Sequence, residues 1–279
     1  MMTPEFFGLL LALMGVGAIA GFSAGMFGIG GGAVIVPSLF FAFSYLGYSD
    51  NIVMHMAVAT SAAVIIVNGF RSVRSHNVHG AVMWDLLWPK NPLKSYAVWI
   101  GLGSLVAALW IAPRMSGQFL IILFAVIASL ISLQFIFGRP DWTVRDTVPG
   151  GATRPVIGSL IGVLSSLMGI GGGSITVPLM SICGIPIHKA VGTASGFGLA
   201  IAIPAVIGFI ISGWSVPGRP DFSLGYVNLL GFVTVALSGF VFIPIGAKIA
   251  HRLSQKRLKL VFGICLFLVA LNMARKAIF

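Results

Sequence analysis

The sequence predicts an all-α protein that crosses a lipid bilayer many times, with about 8–10 transmembrane or half-spanning helices in two repeats. Three observations predict it. Apolar residues make up 58% of the chain and charged residues 8%, where soluble domains carry about 25% charged. The few charges are segregated: Phe6–Ser49, Asn51–Phe70, Ser95–Pro113, Met115–Gly138, Pro155–His188, Ala190–Gly218, Phe222–Ala247 and Leu260–Ala274 hold no Asp, Glu, Lys or Arg. Uncharged apolar runs of about 18 residues or more read as transmembrane helices. Third, Gly28-Ile-Gly-Gly-Gly-Ala-Val-Ile-Val-Pro37 returns 141 residues later as Gly169-Ile-Gly-Gly-Gly-Ser-Ile-Thr-Val-Pro178. Matched interruptions in the two halves of an apolar chain point to a substrate site.

The elements follow in order. The run Phe6–Ser49 is 44 residues, about twice what a helix needs to cross hydrocarbon. It must break, and Gly28–Gly32 is the place. Helix 1a is expected over about Phe6–Met26 and helix 1b over about Ala33–Tyr45. Gly17, Gly21 and Gly25 share one helix face, and small faces allow close packing in lipid. Their equivalents are Gly158, Gly162 and Ser166. The N-terminus carries Glu5 and no basic residue before its apolar run, a poor signal peptide, so the first helix is expected to be retained.

Helix 2 is expected over Asn51–Phe70. It opens with a second shared pattern, His55-Met-Ala-Val-Ala-Thr60 against His188-Lys-Ala-Val-Gly-Thr193. A basic loop with Arg71, Arg74, His76, His79, Lys90 and Lys94 follows, read as solvated topology charges. Trp84-Asp-Leu-Leu-Trp88 inside it reads as an interfacial piece. Helices 3 and 4 cover Ser95–Ala112 and Gln118–Phe137. The chain thus divides into a first repeat over 1–137, a linker over 138–154 and a second repeat over 155–279. The second repeat breaks between Met168 and helix 5b, which ends near Cys183. It continues with helix 6 over Lys189–Ser212, helix 7 over Gly225–Lys248 and helix 8 over Leu260–Arg275.

The net charge is +11. Its basic residues sit in short loops, as the positive-inside bias requires, which argues for topology rather than nucleic acid. Loops 71–94 and 248–259 are the most basic, so both are expected to be cytoplasmic. Counting crossings from them makes the two halves inverted relative to each other. Arg275 and Lys276 run against this assignment.

A broken helix in lipid exposes backbone groups that must face protein or a cavity. Glycines let backbone N–H groups converge, and the following half-helix adds its positive end. The expected anion site therefore comprises Gly28, Gly30, Gly31, Gly32, Gly169, Gly171, Gly172 and Gly173. Thr60, Ser61, Ser174, Thr193 and Ser195 stand close in sequence as hydroxyl donors. A single glycine run would read as a kink or crossing; the second copy favours a site.

His55 and His188 fit two readings, proton coupling or hydrogen-bonded caps. Lys189 either pairs with an anion or marks a cytoplasmic helix end. Asn68 reads as an interhelical hydrogen bond. Cys183 and Cys265 give no disulfide framework, and Cys183 with His188 gives no metal site. Gly28-x-Gly30-x-x-Ala33 lacks the strand and acidic residue of a dinucleotide site. The uncharged runs hold no carboxylate and no histidine cluster, so no enzyme and no cofactor are expected.

The two Gly-Ile-Gly-Gly-Gly motifs with their prolines and the two His-x-Ala-Val-Gly/Ala-Thr segments resemble the sulfite exporter family of the TauE/SafE type. So do Leu224-Gly-Tyr-Val-Asn228 and Pro244-Ile-Gly-Ala-Lys-Ile-Ala-His-Arg-Leu253. The resemblance spans nearly the whole chain. It implies a multi-pass carrier in the bacterial inner membrane that exports sulfite, sulfoacetate or another organosulfonate. The alternatives are a carrier for thiosulfate or another small anion, and a membrane assembly or helper protein without transport. Expected partners are the small anion and the bilayer, with further copies of the chain as an open option.

Overall fold

A computed structural model of the protein describes residues 4–28, 30–138, 145 and 147–278. Ile29 of the first glycine motif, and residues 139–144 and 146 of the linker, lie outside the described residues.

The fold is all-α apart from one short hairpin. Helix α1 (Pro4–Phe27) ends at the first glycine cluster, and α2 (Gly32–Tyr45) leaves it. α3 (Asp50–Asn77) is followed by a one-turn α4 (Trp84–Leu87). α5 (Tyr96–Val106) runs on through a π-helical turn, Ala107–Ile111, to Arg114, and α6 (Gly117–Phe137) follows. α7 (Thr153–Met168) ends at the second cluster and α8 (Gly173–Ile182) leaves it. α9 (Ile187–Ser212), the hairpin β1 (Ser223–Leu224) and β2 (Val227–Asn228), α10 (Leu229–Ala250) and α11 (Gln255–Ile278) follow. β1 and β2 pair antiparallel, with Ser223 opposite Asn228.

Six of the described helices, α1, α3, α5, α6, α9 and α10, are long and apolar enough to cross a membrane. At about 1.5 Å per residue, α2 and α8 cover only part of a hydrocarbon thickness of about 30 Å. Large apolar side chains such as Leu11, Ile19, Leu130, Ile211, Leu237 and Leu268 are exposed on the outer surface. In a bilayer that surface meets lipid tails, which take apolar side chains without cost. The chain is a multi-pass membrane protein.

Two expectations are corrected. Helix 2 does not end at Phe70: α3 continues to Asn77, so Arg71, Arg74 and His76 are helical rather than loop residues. The Arg71 guanidinium lies 4.7 Å above the Phe240 ring on α10, a cation–π contact that tolerates the charge near the membrane edge. Helix 7 begins at Leu229, because Leu224 and Val227–Asn228 are taken by the hairpin.

Glycines dictate how the helices pair. A Cβ on Gly17 would meet Val235 and Ser238, one on Gly21 would meet Gly239, and one on Gly25 would meet Ile243 and Ala247. α1 therefore lies directly on α10, and both run the same way. The equivalent face repeats this: Gly158 meets Trp99 and Gly162 meets Ile100 and Ser104, so α7 lies along α5. In lipid, such close backbone approach supplies the dispersion that holds helices together. α3 and α9 also pack on each other, but in opposite directions, with Ser72 at Ser195 and Ile65 at Gly198. The last helices of the halves meet where Gly263 of α11 touches Phe135 and Ile136 of α6. Each of these four pairs joins a helix before residue 138 to one after residue 152.

Candidate functional site at the paired helix breaks

The two breaks touch. A Cβ on Gly32 would stand 2.3 Å from the Gly169 carbonyl oxygen and 2.8 Å from the Ile170 Cα. Gly28, Gly30, Gly31, Gly32 and Gly169, Gly171, Gly172, Gly173 are all buried. The neighbours are α3 and α9: Gly28 approaches the Val191 carbonyl, Gly30 meets Ile65, Gly169 meets Val58, and Gly172 meets Phe197 and Gly198. The predicted glycines are thus brought together at the crossing of the two central helices.

The same sequence bends differently in the two copies. Gly28, Gly30 and Gly31 all have positive φ, and Gly31 (φ 83°) serves as the N-cap of α2. In the second break Gly169 (φ 62°) caps α7 in the left-handed region, while the α8 cap Gly172 is right-handed. A side chain at Gly31 or Gly169 would be strained in either case. The starts of α2 and α8 present N–H groups that no intrahelical carbonyl can satisfy.

The predicted hydroxyls divide by location. Ser61 donates to the Gly169 carbonyl at 2.8 Å, from α3 across to the second break. Ser174 donates to the Gly171 carbonyl at 3.2 Å, and Thr176 to Gly172 at 2.6 Å. Asn68 Nδ2 donates to the Gly30 carbonyl at 3.2 Å, the interhelical bond expected of it. Ser61 and Asn68 thus reach break carbonyls from α3, while Ser174 and Thr176 bond carbonyls at the start of their own half-helix.

Thr60 and Thr193 have another task. The Asn228 N–H donates to Thr60 Oγ1 and the Met83 N–H to Thr193 Oγ1, each at 2.9 Å. Each threonine docks the chain segment that follows the other long helix: Thr60 of α3 holds Asn228 beyond α9, and Thr193 of α9 holds Met83 beyond α3. Ser195 Oγ shares a 2.8 Å hydrogen bond with Ser72, which also reaches the Ala24 carbonyl in the last turn of α1.

The charged candidates have other contacts. His55 Nε2 donates to the Ala112 carbonyl at 2.9 Å and its ring stacks on Tyr226 at 5.2 Å, which is a capping geometry. His188 stacks on His251 near the opposite end of α3, and Lys189 is exposed.

The glycine count did not single out Ser165 and Ser166. Both are 1% exposed at the end of α7, and neither hydroxyl has a hydrogen-bond partner. Asn68 Oδ1 is likewise buried without one. Buried polar atoms of this kind call for an explanation, an unseen water or ion among them. The signal was present in sequence: Ser165 and Ser166 replace Ala24 and Gly25 of the first copy.

Separately, an apolar groove lies between α3, α4, α5 and α9, lined by Trp84, Trp88, Leu105, Leu199, Ile203 and Pro204. It includes no glycine of either break.

Comparison with known proteins agrees with this architecture. The family profile described as "Sulfite exporter TauE/SafE" matches residues 13–273. A probable membrane transporter protein of Haemophilus influenzae is 33% identical, covering 96% of this chain and 98% of its own. One of Methanocaldococcus jannaschii is 28% identical, with 96% and 97% covered. One of Bacillus subtilis, YunE, is 26% identical, with 96% and 98% covered. No solved structure gives a significant match. With paired helix breaks at its centre and a profile match along nearly its whole length, the chain belongs to the TauE/SafE family of membrane transporter proteins.

Proposed function

We propose that the protein is a secondary transporter that exports a small sulfur-containing anion, such as sulfite, sulfoacetate or another organosulfonate, across the bacterial inner membrane. The observation that carries this reading is the contact of Gly32 with Gly169 and Ile170. It sets the start of α2 against the second break, three residues before α8 begins, and supports a reading in which the positive ends of both half-helices act on one anion. Gly30–Ala33 and Gly171–Ser174 are the backbone donors. Ser61, Ser165, Ser166, Asn68 and Ser174 are the side chains that adjust to the anion's oxygens. The family description names sulfite, and the tetrahedral or pyramidal oxyanion it implies suits several convergent N–H donors.

The halves are read as inverted repeats. The support is that the second helices of the two halves run antiparallel while each first helix runs parallel to the other half's third. A rocking of one half against the other then gives alternating access. Anion flux into liposomes containing only this protein tests the reading. Gly31→Val and Gly172→Val are expected to insert normally and to transport nothing, since their Cβ positions stand 2.5 Å from the Ala20 carbonyl and 3.0 Å from Phe197 Cβ. Wild-type flux in both variants contradicts the site.

A further inference from the structure

Four of the five histidines of the chain gather at one end of the molecule. His76 belongs to the last turn of α3, His79 follows in the next turn, His188 is the second residue of α9, and His251 follows α10 directly. His76 Nδ1 and His251 Nε2 are 3.2 Å apart. The His251 ring has two more imidazoles stacked against it, His79 with centroids 4.2 Å away and His188 at 5.5 Å. Among the described residues no group of three or more His, Cys, Asp or Glu is placed to hold a metal, and stacked rings do not converge their nitrogens on one point.

The hydrogen bonds fix where the protons are. His76 Nε2 lies 2.8 Å from the Gly25 carbonyl, so Nε2 carries a hydrogen. In neutral His76 the bare Nδ1 then accepts from His251 Nε2–H. His79 Nδ1 donates to the Ser75 carbonyl at 2.9 Å, which fixes its tautomer too. One added proton goes to the outer Nδ1 of His251 and leaves the bond between the facing nitrogens intact. A second added proton puts hydrogens on both and breaks the bond, and any charge on His79 or His188 then faces a like charge across a stacked ring.

What this cluster holds is the end of α1. Gly25, in the last turn before the first break, is tied by His76, and Ala24 by Ser72. We propose that His76, His79, His188 and His251 form a pH-operated gate at the cytoplasmic end of the carrier: neutral, they hold the last turn of α1 against α9 and α10, and protonated, they release it. That this gate controls transport rests on the carrier reading above; that it holds α1 does not.

The surroundings favour this. The element α1 offers only carbonyls here. α3 and its following turn bring Arg74, α9 brings Lys189, and α10 with its following turn brings Lys248 and Arg252. Burial and the charges of His79 and His188 lower the His251 pKa from its ordinary 6.5. The closed arrangement thus binds protons less readily than separated histidines do. It is favoured above about pH 6.5 and loses ground as pH falls below that. The basic flanks assign this end to the cytoplasm.

Amide hydrogen exchange on the purified full-length protein tests the gate without any need for flux. Corrected for intrinsic exchange rates, protection of α1 residues 20–28 is expected to fall about tenfold between about pH 7.5 and about pH 6. His251→Gln is expected to remove most of that response, and His79→Gln, a milder change at an exposed site, part of it. An α1 that ignores pH in the wild type, or responds equally in both variants, overturns the gate. Flux of sulfite or sulfoacetate in liposomes is measured in parallel. Flux with a pH-indifferent α1 sinks the gate and leaves the carrier; a pH-responsive α1 without flux sinks the carrier and leaves the gate.

Discussion

At the residue scale, a few side chains satisfy what the helix breaks leave open. Ser61 is the clearest, because its hydroxyl bonds the Gly169 carbonyl across the interface of the two halves. Ser61→Ala leaves that buried carbonyl without this donor. The expected loss is about 1–3 kcal/mol of stability, read as a lowered melting temperature in detergent, with flux reduced more than the stability change alone accounts for. Unchanged melting and flux would remove Ser61 from the site. The breaks at the glycines were legible in sequence, since a glycine cluster interrupts an apolar run too long for one crossing. Thr60 and Thr193 were legible as a repeated pair, but not their task of docking Asn228 and Met83. That depends on loops returning to helices over more than 100 residues of chain, and no local spacing records it. His76 and His79 read as solvated charges in sequence. Only the meeting of α3 with α9 and the end of α10 shows them as members of a cluster with His188 and His251.

At the scale of elements, the glycine faces decide which helices pair. Gly21 sits so close to Gly239 that a Cβ would stand 2.1 Å from its carbonyl oxygen. Gly21→Leu is therefore expected to push α1 off α10 and move the first break with it. Overpacking of a well-fitted contact costs about 1–3 kcal/mol, occasionally more; here backbone meets backbone, so neither side can rotate away. A variant that melts and transports like the wild type would contradict the pairing. Helix boundaries were largely legible, because uncharged runs and breakers coincide. Leu46–Ser49, Met115–Ser116 and Cys183–Pro186 all fall where the sequence changes character. The extension of α3 to Asn77 was not. Arg71 marks a helix end in most apolar runs, but here the Phe240 ring takes its charge. The pairing partners were also hidden: the small face of α1 was visible, but not that α10 of the other half fills it.

At the scale of the whole molecule, four helix pairs each join one half to the other, and the breaks meet where α3 and α9 cross. On the proposed carrier reading, one half rocks against the other about that central place. On the same reading, the exported anion follows the inside-negative potential, about 2.3 kcal/mol per charge per 100 mV. Flux in liposomes is therefore expected to change with an imposed voltage. Voltage-independent flux would contradict uncoupled anion movement. The doubled motif made two halves legible from sequence alone. Their relative direction followed only from counting basic loops, a weaker signal, with Arg275 and Lys276 opposed to it.

The account's central claim is that backbone N–H groups at both breaks hold the anion. The most direct test is residue-resolved amide hydrogen exchange of the purified protein with and without sulfite, thiosulfate or sulfoacetate. One of these anions is expected to slow exchange at Gly30–Ala33 and at Gly171–Ser174 together, and Gly172→Val is expected to lose both effects. An anion that is transported while exchange at both segments stays unchanged would contradict it.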